Sequence, residues 1–387
     1  MPVTATYQID CIVGARPNFV KIAPIMRAIA GHGRLSARLI HTGQHYDEAM
    51  NAVFFDELGI APPAINLDVG SGTGTEQTAR IMLGLEPQLV SQRPDLLLVV
   101  GDVNSTVAAA LVAAKHCIPV AHVEAGLRSN DRTMPEEINR LVTDRLSDLL
   151  FTTESTALGN LLREGVDGAR IIFVGNVMID SLHASLARAA PVARTFAEIG
   201  VPGAVLAEIE KSGFGFVTLH RPSNVDDPVK LQALLGALAA IAQKLPLVFP
   251  LHPRTRAMIG NAGLESQLKA SGIIAAQPLS YLRALGLMRA ARLAITDSGG
   301  VQEETTALGV PCLTVRENTE RPITVDEGSN TLVGTAPEAL IAAVENILAN
   351  GGRKGRIPAL WDGKAAERIA VGIAAFLDTR RLEQAAA

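Results

Sequence analysis

The chain has 387 residues, 48% of them hydrophobic and 19% charged, with a formal charge of −4. That length exceeds what one hydrophobic core usually serves and predicts two domains, while the balanced charge excludes a nucleic-acid backbone or an anionic membrane surface as the natural partner. Thirty-four glycines, 21 prolines and only 4% aromatics exclude a disordered or fibrous chain and predict an aliphatic core.

No apolar run approaches the roughly 18 residues a membrane span needs. The start, MPVTATYQID, lacks the charged and then apolar pattern of a secretory leader, so a cytoplasmic protein is expected. Cys11, Cys117 and Cys312 are odd in number, far apart and set in apolar strand-like sequence. They read as small buried hydrophobes in a reducing compartment, not as disulfide partners or metal ligands.

In chain order, short near-continuous apolar runs alternate with helix-length segments. The first half has CIVGAR, ARLIHTG, DLLLVVGDV, PVAHVEAG, LLFTT and IIFVGN; the second restarts with GFVTLH, PLVFPLH, IIAAQP, LAITDSGG, PCLTVR and NTLVG. Such runs predict strands buried on both faces, hence an α/β chain of two Rossmann-like, doubly wound parallel-sheet domains. The crossing between them is expected near 176–181, and KAAERIAVGIAAFLDTRRLEQ reads as a final amphipathic helix able to pack on either domain. Ligands of open parallel sheets sit beyond the carboxyl ends of the strands. The polar residues gather there: Arg16, GQHYD, Asp102, Glu124, His220, His252 and DSGG each follow an apolar run, which predicts two domains facing one another across a cleft.

TDSGGVQEE sets Asp297, Ser298, Gly299 and Gly300 between a strand and a helix. Adjacent glycines let backbone N–H groups approach an anion at a helix N-terminus, so the segment reads as a phosphate cradle; its plainer reading is a tight turn with Ser298 as helix cap. Glu304, within two turns, suits ribose hydroxyls or a solvent-facing position. Arg16 and Lys21 flank Pro17 after the first strand and suit a diphosphate, or a solvated basic loop. His220 and His252 each end a strand beside an arginine. No His/Cys/Asp cluster has metal-ligand spacing, and no metal is expected.

HVEAGLRSNDRTMPEEINR, 122–140, is the densest acidic stretch. Asp102 and Glu124 end successive strands, and a helix starting at Pro135 carries Glu136 and Glu137 in its first turn. Three carboxylates, Asp102, Glu124 and Glu136, are thus expected to share a pocket, their repulsion raising at least one pKa and keeping an acid and a base ready near neutrality. The alternative is ordinary helix-start acids bridged to Arg128 or Arg140, a reading that weighs most for Glu137 and Asp131.

Through GARPNFVKIAPI, TGQHYDEAM, GDVNST, HVEAGLRSNDRTMPEEINR, GNVMIDSL, LHRPSNVDD, QPLSYLRAL, TDSGGVQEE and RENTERPITV, the chain resembles the non-hydrolysing UDP-N-acetylglucosamine 2-epimerases. The resemblance implies the GT-B architecture: an N-terminal domain 1–178 carrying the acids, a nucleotide-binding domain 179–368, and a helix 369–387 packing back on the first. It implies elimination of UDP to a 2-acetamidoglucal and re-addition after the C2 proton is replaced on the other face, with no cofactor. Asp102, Glu124, Glu136 and His220 then match catalytic positions. Arg16, Lys21, Leu279, Ser298, Gly299, Gly300, Glu304 and Arg321 match ligands of the UDP-activated amino sugar, Leu279 through its backbone to the uracil. Family members are commonly homodimers. LHRPSNVDD and TGQHYDEAM depart from the forms of many bacterial members, whose loops help bind a second, activating substrate molecule. GLRSNDRTMPEEINR also resembles relatives acting on 2,3-diacetamido uronates or 6-deoxy acetamido hexoses. A UDP-sugar glycosyltransferase and a non-catalytic nucleotide-sugar sensor are the competing functions.

Overall fold

Runs with no polar residue for a solvent face become strands covered on both sides by helices. LLLVV, Leu96–Val100, is the plainest case, with all five side chains wholly buried. Each such side chain contributes about 1.5–3 kcal/mol relative to exposure. The computed structural model describes residues 6–43, 55 and 57–386, the side chains of Arg16 and Ala386 excepted.

The chain divides into two compact units, 1–184 with 359–387, and 185–358. In the first, β1 (Tyr7–Val13), β2 (Leu35–His41), β3 (Ile65–Asn66), β4 (Leu96–Val100), β5 (Val120–Val123), β6 (Leu149–Thr152) and β7 (Ile171–Phe173) form one parallel sheet. Its order is β3-β2-β1-β4-β5-β6-β7, so the winding reverses between β1 and β4. In the second, β8 (Gly215–Thr218), β9 (Leu247–Pro250), β10 (Ile274–Ala276), β11 (Leu293–Thr296), β12 (Cys312–Thr314) and β13 (Asn330–Leu332) are ordered β10-β9-β8-β11-β12-β13, again parallel, with the reversal between β8 and β11. Each unit is a doubly wound Rossmann-like sheet.

All twelve apolar runs contain a strand. The added strand, β3, has two residues paired to Ile40 and His41. AINL offers no apolar run of strand length, so only its neighbour on β2 reveals it. Cys11 and Cys312 are buried, but Cys117 is exposed, a correction to the sequence reading. The chain turns between the helix Asn104–Lys115 and β5 with Cys117 at φ +53°, which swings that residue out of the packed layers.

The sequence reading drew domain boundaries at 178/179 and 368/369; contacts divide the chain at 184/185 and 358/359. Residues 359–368 belong with the first unit because they are bonded to it. Trp361, buried, donates its indole N–H to the Thr153 carbonyl at 3.1 Å. The Asp180 carboxylate accepts the Ala365 and Ala366 N–H groups at 3.1 and 2.7 Å, capping the helix Ala365–Ala386 from another part of the chain. That helix lies against the helix Arg16–Gly31. Among the described residues, no helix is long and apolar enough to cross a membrane.

Candidate active site

In the first unit, the polar residues collect at the carboxyl ends of β1, β4 and β5, around the point where the winding reverses. After β1 the chain turns into the helix Arg16–Gly31 with Pro17 in its first turn, where a proline's missing N–H costs nothing. Asn18 fixes this entry. Its Oδ1 accepts the Gly14 and Ala15 N–H groups at 3.2 and 2.9 Å, and its Nδ2 donates to the Val100 carbonyl at 2.9 Å, tying the turn to the end of β4. Arg16 opens this helix; its side chain lies outside the described residues, as does QHYDEAM, 44–50.

Lys21 follows one turn later, buried, and its ammonium is bonded to the Glu124 carboxylate. Asp102, just past β4, is bonded to Arg140, a guanidinium only 2% exposed. The crowd of bare acids expected from sequence is therefore interleaved with cations. At the end of a buried sheet a carboxylate without a cation would cost several kcal/mol, which is the reason for the pairing. Glu136 is half-buried in the first turn of the helix Pro135–Leu146.

Glu137 is a structural anchor. It accepts Ser129 N–H and Oγ–H at 3.0 and 3.1 Å, Asn130 N–H at 3.0 Å, and Arg140 Nε and Nη2 at 3.0 and 2.6 Å. Burial pushes its pKa up, but the Ser129 N–H and Arg140 outweigh burial and the net shift is downward. Asp131 closes a turn on Thr133 instead of joining the acids, accepting its N–H at 3.0 Å.

Glu124 has φ +72°, in the left-handed region that side chains avoid. Such a residue costs about 1–3 kcal/mol and persists only where its surroundings over-determine it. Those surroundings include His122 and Asp144, which the sequence reading did not single out. The available signal was weak: a histidine inside an apolar strand and an aspartate ten residues into a run of helix.

In the second unit the corresponding reversal lies between β8 and β11. Asp297, wholly buried, accepts the backbone N–H groups of His220 and Arg221 at 3.0 and 2.9 Å and Asn224 Nδ2 at 3.0 Å. It braces the end of β8 against that of β11 rather than facing a ligand. Ser298 stands at the cap position of the helix Gly299–Leu308 without a side-chain capping bond. Gly299 and Gly300 begin that helix. A Cβ at Gly299 would come within 2.9 Å of Glu320 Oε1, so a side chain there has to push that carboxylate aside.

Arginines surround this helix start. Arg316 reaches Glu320 at 2.7 Å and Arg221 reaches it at 3.4 Å, while Arg321 Nε meets Glu303 at 2.6 Å. Burial raises the pKa of Glu320, but Arg321, Arg316 and Arg221 overcome it and hold the carboxyl well below its usual range. The first N–H groups of this helix and the guanidinium cluster lie together, a combination suited to an anion.

His220 lies beside it, Nδ1 3.4 Å from Asp297 and its ring centroid 5.0 Å from that of His252. Burial lowers its pKa, Asp297 opposes the shift, and Arg221, Arg254 and Arg316 add to it, leaving a ring neutral at physiological pH. Glu304, buried, accepts the Tyr281 hydroxyl at 2.8 Å. Burial, with Glu303 adding and Tyr281 opposing, pushes its pKa up to about 7. Leu279, half-buried, precedes the helix Tyr281–Ala290 by two residues. Among the described residues, no group of three or more His, Cys, Asp or Glu side chains is arranged to hold a metal ion.

Known proteins share this arrangement of chain. The family described as UDP-N-acetylglucosamine 2-epimerase matches residues 27–374. The UDP-N-acetylglucosamine 2-epimerase of Methanocaldococcus jannaschii is 42% identical over 94% of this chain and 97% of its own. The UDP-2,3-diacetamido-2,3-dideoxy-D-glucuronate 2-epimerase of Pseudomonas aeruginosa is 41% identical over 87% of this chain and 91% of its own. The crystal structure of the M. jannaschii enzyme in complex with UDP-GlcNAc and UDP superposes with a TM-score of 0.84 at 41% identity, covering 95% of this chain and 99% of that one. With two parallel doubly wound sheets and this match over most of its length, the chain belongs to the UDP-N-acetylglucosamine 2-epimerase family.

Proposed function

We propose that the protein inverts C2 of a UDP-activated 2-acetamido sugar, UDP-N-acetylglucosamine to UDP-N-acetylmannosamine, by eliminating UDP and adding it back. The observation that carries this reading is the pair Asp102 and Glu124, two carboxylates held on buried cations at the ends of adjacent strands.

The C2–H of the sugar is not beside a carbonyl and is not acidic by itself. As the C1–O bond breaks, its electron pair leaves with UDP and oxocarbenium character at C1 acidifies C2–H. A carboxylate takes that proton, and the C2–H electrons form the C1=C2 bond of the glucal. Nearby negative charge favours this transition state. Delivery of a proton to the opposite face of C2 and return of the diphosphate oxygen to C1 complete the inversion. Asp102, Glu124 and Glu136 are proposed for proton transfer and cation stabilisation. His220 is assigned to the leaving diphosphate. Ser298, Gly299, Gly300 and Arg321 are assigned to the diphosphate together with Arg16 and Lys21, Glu304 to the ribose, and the Leu279 backbone to the uracil.

A second substrate is favoured by one observation: the diacetamido uronate 2-epimerase matches this chain at 41% identity, level with the 42% of the N-acetylglucosamine enzyme. The enzyme is read as a cytoplasmic homodimer. Proton NMR in D2O with both nucleotide sugars tests the function. Deuterium at C2 of substrate and product is expected; interconversion without it, or none with either sugar, refutes the reading.

A further inference from the structure

Asp144 lies wholly buried on the helix Pro135–Leu146 and reaches the chain on both sides of Glu124. It accepts His122 Nδ1 at 2.6 Å, two residues before Glu124. It also accepts the Gly126 N–H at 3.0 Å, two residues after, and Arg128 Nη2 at 2.7 Å. The other ring nitrogen of His122 is 2.8 Å from the carbonyl of Gly101, the residue before Asp102. Held at both ring nitrogens, the imidazole is fixed between β4 and β5 in one orientation. Burial raises the pKa of Asp144, but His122 and Arg128 outweigh it and the net shift is downward, so the grip is that of a charged carboxylate.

A buried charged network of this kind is a poor route to stability, since apolar side chains of the same volume usually do as well. What it achieves is placement. Glu124 sits at φ +72° and Gly126 at φ +80°, two left-handed residues in three, and Asp144 holds the side chain two residues before the first and the N–H of the second. The turned backbone sends the Glu124 carboxylate toward Gly101, where Oε2 lies 3.2 Å from the position of a Cβ, next to Lys21.

We propose that Asp144 is a positioning residue that, through His122 and Gly126, sets the Glu124 carboxylate in register with Asp102. The assignment rests on the reading of Glu124 and Asp102 as the proton-transfer acids. A leucine at 144 has a similar branched shape and no acceptor, so His122 Nδ1, the Gly126 N–H and Arg128 Nη2 all lose this partner. For Asp144→Leu we expect kcat to fall about 10- to 100-fold, the scale of a misplacement near 1 Å. KM should stay within about twofold, because the loss is of transition-state geometry and not of substrate grip. A merely structural role would lower the folded fraction without splitting kcat from KM.

A crystal structure of the same variant supplies the second readout, which needs no turnover. Glu124 should leave φ near +72° or its carboxylate should leave Lys21. If Asp144→Leu does not fold, His122→Asn, which removes the link to Gly101 alone, carries the same expectations. A kcat within about twofold of wild type, or an unmoved Glu124, overturns the assignment. Wild-type protein inactive on every nucleotide sugar tested would instead refute the functional reading, leaving the crystallographic comparison to decide on Asp144.

Discussion

Glu304 makes a thermodynamic prediction that can be worked from its surroundings. Its pKa is pushed up from 4.5 to about 7 by burial, with Glu303 adding and the Tyr281 hydroxyl opposing. Between those values the folded protein holds a proton that the unfolded chain has released, so stability falls as pH rises through the window. The gap of about 2.5 pH units, at 1.36 kcal/mol each, puts the loss near 3 kcal/mol, complete above pH 7. Glutamine keeps an acceptor for Tyr281 and removes the titration. Urea unfolding of wild type and Glu304→Gln, followed by a probe on the second unit, should therefore give similar stabilities near pH 4.5 and a variant ahead by about 3 kcal/mol at pH 8. Other titrating groups cancel in that difference. Parallel stability–pH curves for the two proteins would refute the argument that burial governs this carboxyl.

Lys21→Met leaves the Glu124 carboxylate buried without its ammonium and should cost about 3–5 kcal/mol in urea unfolding, most of it recovered in the double variant Lys21→Met/Glu124→Gln; a loss under about 1 kcal/mol would contradict the pairing. Asp180→Ala removes the acceptor for the first N–H groups of the helix Ala365–Ala386, and the cap should be worth about 1–2 kcal/mol, seen as faster amide exchange at 365 and 366. Gly299→Ala drives a methyl into Glu320, which Arg316 and Arg221 hold in place, so calorimetry should find UDP affinity at least about tenfold weaker, or about 1.4 kcal/mol; unchanged affinity would exclude this helix start as the diphosphate cradle.

The phosphate-cradle reading of TDSGG shows where local sequence runs out. Spacing alone placed Asp297, Ser298 and the two glycines at a strand–helix junction, and the structure has that junction. It did not separate their roles: Asp297 faces inward and braces β8, while Gly299 is the position at which a side chain would press on Glu320. Which way a side chain turns at a junction depends on what the neighbouring strand presents, and β8 is some 80 residues away in the chain.

The amino-acid sequence by itself determined the alternation of strands and helices, the duplicated parallel-sheet architecture and the gathering of polar residues at strand ends. Burial on both faces forces a mostly apolar run into a window of four to seven residues, and such a pattern is local. Only the tertiary structure decided which charges meet. Lys21 and Glu124 are 103 residues apart, Arg140 and Asp102 are 38 apart, and Asp144 and His122 are 22 apart. Their encounters follow from the strand order β1-β4-β5 and from the helix that packs across it. A carboxylate in the sequence states its charge but not its partner; the partner is set by which chain segments the sheet brings side by side.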